Sequence, residues 1–419
     1  MSQHETSNAA AAFAVVDKAD WNARLARNDK GALLPVVDNV VAILLNDERW
    51  AGVIAFDQFS HVVQKRKPPP FERGEKGEWA DIDDARLELW LAERYSLRRL
   101  GSDVLTKAVS LAADANRYHE VQDYLNGLEW DGKARLRYWL SAYLGAKRSE
   151  YVERVGIKWL VGAVARVMRP GCKMDNVVIF EGGQGIGKST SLKVLFDPWF
   201  TDAAFEIGST DGYQIIRGMW CVELAELDGF NRAEASRSKA FFTRQTDRYR
   251  NPYGRKPVNV PRQGVFAGSV NHATYLKDDT GNRRYWPVAI VGDVSLDELR
   301  ADRDQLWAEA VHEYRSGTEW WVRAAERDIY EVEQDSRYIG DAYETTIRGW
   351  LNTPDAGGVK PDQVTVARLM SEALGLDKAK WTLPEQQRVG RIMARLGWPR
   401  RRMSGNGREW VYMRPEGEQ

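Results

Sequence analysis

From 81 to 169 the apolar residues recur at three- and four-residue spacing, in "DDARLELWLAERY", "SDVLTKAVSLAADA", "EVQDYLNGL", "ARLRYWLSAYLG" and "YVERVGIKWLVGAVARVM". That period lines one face of successive helices, and it predicts a helical domain over 81–170. The pattern then changes. Four apolar residues, Val177 to Phe180, run without a break into a glycine-rich turn, and Leu192, Val194, Leu195 and Phe196 follow at partly helical spacing. This is the order strand, glycine loop, helix. Strand and helix patterns keep alternating to about Val291, and "LDELRADRDQLWAEAVHEYRSG" returns to helix, so 171–340 reads as an α/β core. Upstream, 17–80 mixes the helical "VDNVVAILLND" with short apolar segments such as "GVIAF". It ends in "QKRKPPPFERGEKGEW", whose prolines cannot continue a helix and which predicts a loop or linker. Residues 1–16 show no sustained pattern and read as a disordered tail. In 341–419, "VTVARLMSEALGL" and "LPEQQRVGRIMARLGW" predict two helices, and "WPRRRMSGNGREWVYMRP" predicts a hairpin around Gly405 to Gly407.

A chain of 419 residues exceeds what one core usually organises, which agrees with several domains. Basic and acidic residues number 60 each, so no net field draws the chain to nucleic acid or to an anionic membrane. Any such binding needs a local patch. The two cysteines, Cys172 and Cys221, stand far apart without a CxxC or histidine-rich neighbourhood, which argues against a disulfide framework or a zinc site. They suit a reducing compartment, with the cytoplasm as the expectation. No apolar run approaches 18 residues, so no membrane span is expected. The 17 tryptophans are scattered along the chain rather than gathered in one stripe, as core residues would be.

The glycine turn carries the first candidate chemistry. Gly182, Gly183, Gln184, Gly185, Ile186, Gly187, Lys188, Ser189 and Thr190 fit the phosphate-loop spacing. There, backbone N–H groups turn inward around a polyphosphate, Lys188 reaches its outer phosphates, and the Ser189 hydroxyl can ligate Mg2+. ATP with Mg2+ is the implied cofactor. Such a loop needs carboxylates on a neighbouring strand, and "MWCVELAEL" offers Glu223 and Glu226 at a strand's carboxyl end. We place Glu223 in the metal shell and Glu226 as the base that orients water; the reverse order stays open. A further apolar strand, in "VFAGSVNHATYL", delivers Asn271, an amide able to hydrogen-bond the attacking water or the outer phosphate. Arg283 and Arg284, just before "YWPVAIV", are either structural ion pairs or an arginine finger offered to a neighbouring subunit's phosphate.

Two basic stretches stand out on a chain of zero net charge. "SKAFFTRQTDRYRNPYGRKPVNVPR" gathers Lys239, Arg244, Arg248, Arg250, Arg255, Lys256 and Arg262 around Asp247, with Tyr249 and Tyr253 placed to stack on bases. A solvated face is the plainer reading. From Arg388 to Arg408 there are seven arginines and no acid, among them Arg400, Arg401 and Arg402. Arg388, Arg391 and Arg395 share a helical face by spacing. Two helices and a hairpin resemble a winged-helix module, which implies DNA or RNA contact.

The series "GGQGIGKST", "WCVELAEL", "SKAFFTRQTDRYRNPYGR" and "GSVNHATYLKDDTGNRRYWPV" resembles the virulence-associated protein E family of phages and genomic islands, itself similar to superfamily 3 helicases and to phage and poxvirus primase-helicases. "NGLEWDGKARLRYWLSAYLG" resembles the helical segment before the ATPase there. The resemblance implies an α/β P-loop NTPase core of AAA+-like, superfamily 3 type, with Lys188 and Ser189 as Walker A, Glu223 and Glu226 as Walker B, and Asn271 as sensor 1. Arg283 or Arg284 would be the finger, and 248–256 a pore hairpin gripping the strand. The implied activity is an ATP-dependent, hexameric ring helicase on single-stranded or forked DNA, with primase or other replication partners. The alternative is a replication initiator or regulatory DNA-binding protein in which ATP only stabilises an assembly. Too little chain precedes residue 80 for the primase domain of many relatives, so no priming activity is expected.

Overall fold

The computed structural model describes residues 21–225, 232–249, 257–271, 282–337, 342–355, 357–402 and 410–415. The expected tail at 1–16 lies outside them. Among the described residues no helix is long and apolar enough to cross a membrane.

The first unit is built on a four-stranded sheet in the order Gly77–Glu78, Val62–Lys65, Ile54–Asp57, Arg117–Tyr118. The helices Val37–Asn46, Asp81–Tyr95 and Ser102–Ala115 bury Ile43, Trp90, Leu91 and Val109 in one core with Trp50 and Ile54. This corrects the boundary expected at residue 80. The prolines only turn the chain: Phe71 and Trp79 pack on Trp50 with ring centroids 6.0 and 6.3 Å away, and Gln64 pairs with Glu78 across the sheet. A buried ion pair between Lys65 and Asp83 then fastens the helix Asp81–Tyr95 to the strand Val62–Lys65. Asp83 also accepts the Ala80 backbone N–H at 2.9 Å, capping that helix.

The remaining helical pattern belongs to a different core. Trp139 and the helix Glu150–Met168, buried along nearly its whole length, pack with Phe196, Trp220 and Trp307 behind a five-stranded parallel sheet. The expected helical domain over 81–170 is therefore divided between two cores near residue 118, because periodicity marks a helix face but not what it meets.

The sheet gives the chain its mixed α/β class. Taken in chain order, its strands are Val177–Glu181, Phe200–Thr201, Cys221–Ala225, Val265–Val270 and Tyr285–Ala289; in space they run fifth, first, fourth, third, second. Val178 and Phe180 face the tryptophan-rich core, while Val177 and Ile179 face a second cluster with Phe241, Phe242 and Phe266. Burial on both faces is why that strand reads as an unbroken apolar run. The last unit has a core of its own, with Ile347, Leu351, Val389, Met393 and Trp398 at its centre. Its helices are Ala342–Asn352, Val366–Arg368 continued by Leu369–Ala373, and Leu383–Arg395. The predicted hairpin, Arg400–Arg402 with Trp410–Met413, gains a third strand, Gln363–Val364, on the Trp410–Met413 side.

Candidate functional site

Three neighbouring strands end at one place. The first runs into Gly182, whose φ of 152° lies where side chains are strained; a Cβ there would sit 2.7 Å from Ile186 Cδ1 and 2.8 Å from the Ile290 carbonyl oxygen. The loop turns again at Gly187, φ 98°, directly into the helix Lys188–Phe196. Its crest, from Gly183 to Gly185, is exposed, and nothing approaches the place a Gly185 Cβ would take. The result is an open backbone cradle at a helix N-terminus, the setting in which N–H groups collect phosphate.

Lys188 is buried, and its ammonium donates to the Gly182 and Gly183 carbonyls, both at 2.7 Å, and to Asn271 Oδ1 at 3.3 Å. Burial lowers its pKa and the nearby Glu223 charge opposes that shift. The Ser189 hydroxyl donates to Glu223 Oε1 at 2.7 Å. Glu223 is 2% exposed, and its other oxygen, Oε2, has no hydrogen-bond partner among the described residues. A buried carboxylate oxygen left over beside a hydroxyl is what a hard cation with oxygen ligands would satisfy, so Ser189 and Glu223 fit Mg2+. Asn271 reaches the lysine because its strand lies between the other two, with Ala267 opposite Glu223 and Val178. Glu226 lies outside the described residues.

Arg283 and Arg284 are not part of this cluster. They precede the strand Tyr285–Ala289, whose first residue pairs with Val177, at the other end of the sheet from the loop. Arg284 is half-buried, 3.5 Å from Asp175 and 3.1 Å from Thr243 Oγ1, whereas Arg283 is exposed. Neither reaches the glycine loop of this chain.

The basic stretch forms an antiparallel pair, Thr246–Tyr249 with Val258–Pro261. Arg262 is buried, with Nε 2.9 Å and Nη2 2.5 Å from the Asp247 carboxylate, so it anchors the root rather than meeting a ligand. Tyr249 is also buried, stacked on Tyr213 at 5.5 Å, which corrects its expected role in base stacking. Lys239 is buried as well, and Arg244 bonds the Tyr213 hydroxyl. Arg248 is exposed; Arg250, Tyr253, Arg255 and Lys256 lie outside the described residues.

In the last unit Arg400, Arg401 and Arg402 are all exposed, and the Arg400 and Arg402 guanidinium groups lie 4.5 and 5.9 Å from the Trp410 ring centroid. The helical arginines are engaged within the unit: Arg388 sits 3.9 Å over Tyr343, and Arg395 is 3.7 Å from Glu344.

One pair near the loop escaped the sequence reading. Glu181, 4% exposed and immediately before Gly182, meets the Arg337 guanidinium at distances of 3.0, 3.2 and 3.1 Å. A charged residue closing an apolar run was the available signal; its partner 156 residues on was not legible.

The virulence-associated protein E-like domain matches residues 125–339, more than half of the chain. The chain belongs to that family. Among curated proteins no match is found. Similar solved structures include three apo structures of the NrS-1 C-terminal region. One has TM-score 0.48 and 12% identity, covering 86% of this chain and 95% of that one. The others have TM-scores of 0.47 and 0.49 at 12% and 13% identity, covering 91% and 90% of this chain and 99% of each of theirs.

Proposed function

We propose that the chain is an ATP-dependent helicase or translocase of replication, working as a ring of copies with nucleotide between subunits. The observation that carries this reading is the convergence of Lys188, Asn271, Ser189 and a Glu223 oxygen that has no partner among the described residues on one glycine cradle. Backbone N–H groups and Lys188 bind the polyphosphate of ATP, and Ser189 with Glu223 holds Mg2+, which neutralises charge developing on the transferring phosphoryl group. Asn271 orients the water or the outer phosphate, and Glu226 accepts the water's proton. Arg283, exposed and remote from its own loop, is the better finger; Arg284 serves as the ion pair with Asp175.

Membership of the family supports a replication role, and the basic hairpin gives single-stranded DNA a place to grip. The last unit, in the order helix, strand, helix, helix, strand, strand, is read as a winged-helix-like module that adds duplex contact through Arg400 to Arg402. Its separate core also suits the second reading, an initiator that recognises a site without processive unwinding. Forked-duplex unwinding separates the two. The expected result is ATPase stimulated by single-stranded DNA and catalytic strand displacement, both lost in Lys188→Ala. Origin binding with ATPase but no displacement would favour the initiator, and nucleotide binding unchanged in Lys188→Ala would overturn the site itself.

A further inference from the structure

A pocket of about 460 Å³ opens at the end of the sheet remote from the phosphate loop. Five basic side chains line it, Arg169, Lys173, Arg283, Arg284 and Arg327, against two acids, Asp175 and Glu331. Of these five, Arg284 is paired, with Asp175. Arg169, Lys173, Arg283 and Arg327 are exposed and meet no carboxylate among the described residues, although Arg169 lies 5.6 Å from the Trp320 ring centroid. Beside them Trp321 is 48% exposed. With Glu331 the one acid left to offset these four cations, the hollow keeps an excess of three positive charges that repel one another, on a chain whose charges otherwise cancel. An anion relieves that repulsion, and a ring edge at the rim gives a planar group a surface.

We propose that this pocket binds the phosphate chain of a nucleoside triphosphate through Arg169, Lys173, Arg283 and Arg327, with the base or sugar against Trp321. Its volume suits one small ligand rather than a track for a polymer. The pocket cannot serve its own subunit's loop. Asn176 and Arg284 precede paired strands of five residues each, and the loop follows the far end of the first, a separation of about 16 Å at roughly 3.3 Å per residue. The triphosphate is therefore either the one held on a second copy's phosphate loop or a second, free nucleotide. The inference rests on the nucleotide reading above and extends it: the face meeting the neighbour's nucleotide carries three cations beyond a single finger.

The test uses the full chain with Lys173→Ala and Arg327→Ala combined, two exposed positions outside the loop chemistry. ATPase per chain is followed against protein concentration, and fluorescent ATP is titrated onto dilute chain. If the neighbour supplies the triphosphate, wild-type activity rises with concentration, the double variant loses that rise by at least about tenfold, and its dilute nucleotide affinity is unchanged. If a free nucleotide is the ligand, dilute wild-type chain binds two equivalents and the variant one. A variant matching wild type in both measurements overturns the pocket. Failure of the underlying reading shows separately, as unaltered nucleotide binding in Lys188→Ala.

Discussion

In the proposed site a single atom of Glu223 sets the chemistry. One oxygen accepts the Ser189 hydroxyl and the other is buried without a partner among the described residues, which is unfavourable unless a cation completes it. Glu223→Ala should therefore leave the loop able to bind nucleotide while apparent Mg2+ affinity falls about 10- to 100-fold, read by titrating Mg2+ into the ATPase assay. An unchanged Mg2+ requirement would remove Glu223 from the metal shell. The Glu181 and Arg337 pair supports a second prediction. Arg337→Ala strips a close partner from a carboxylate that is 4% exposed, so stability should fall, by up to about 3–5 kcal/mol in chemical denaturation. Glu181→Gln with Arg337→Ala should recover part of the loss, because an amide is less costly to bury than a charge. At this scale the loop was legible because its spacing is local: glycines, Lys188 and Ser189 are neighbours in sequence. Asn271 followed from its strand end. Glu181 to Arg337 was not legible, because an ion pair across 156 residues leaves no local pattern.

The elements repeat that division between local and long-range information. Unbroken apolar runs named the core strands, yet strand order is a property of pairing, and only the fold shows that the Asn271 strand separates the other two. In the basic segment, composition could not separate cations that anchor from cations that face solvent. The fold assigns Arg262 to Asp247 at the root and leaves Arg248 exposed. The root is fixed by that buried pair, which involves neither Arg255 nor Lys256. Arg255→Ala with Lys256→Ala should therefore preserve nucleotide binding and basal ATPase. If each side chain holds one phosphate of a single strand, the logarithmic salt slope of binding should flatten by roughly 1.4 for every subunit engaged. Stimulation of ATPase by single-stranded DNA should fall with it. Normal unwinding by that double variant would leave the turn as a solvated loop.

Across the whole molecule the cores divide the chain differently from its pattern. The first two cores part near residue 118, inside what periodicity marked as one helical stretch, and the last unit closes its own core around Ile347, Val389 and Trp398. That independence makes a deletion informative. A chain ending at Gly340 keeps Arg337 and its bonds to Glu181, and it removes no residue of the two clusters that flank the parallel sheet. Basal ATPase should therefore persist. What leaves with the last unit is the exposed strand Arg400–Arg402, two of whose guanidinium groups lie near Trp410. If these arginines hold duplex phosphates, every phosphate no longer neutralised takes about 0.9 off the logarithmic salt slope, so the truncated chain should bind duplex more weakly and with a shallower salt dependence. Arg388 and Arg395, engaged with Tyr343 and Glu344, contribute less to that slope than their count in the sequence implies. Substituting Arg400, Arg401 and Arg402 by alanine in the full chain should then reproduce most of the effect, by roughly 2.7 in slope if all three touch phosphate. A truncated chain with unchanged affinity and slope would make this unit a surface for protein partners, and the nucleotide site would be unaffected.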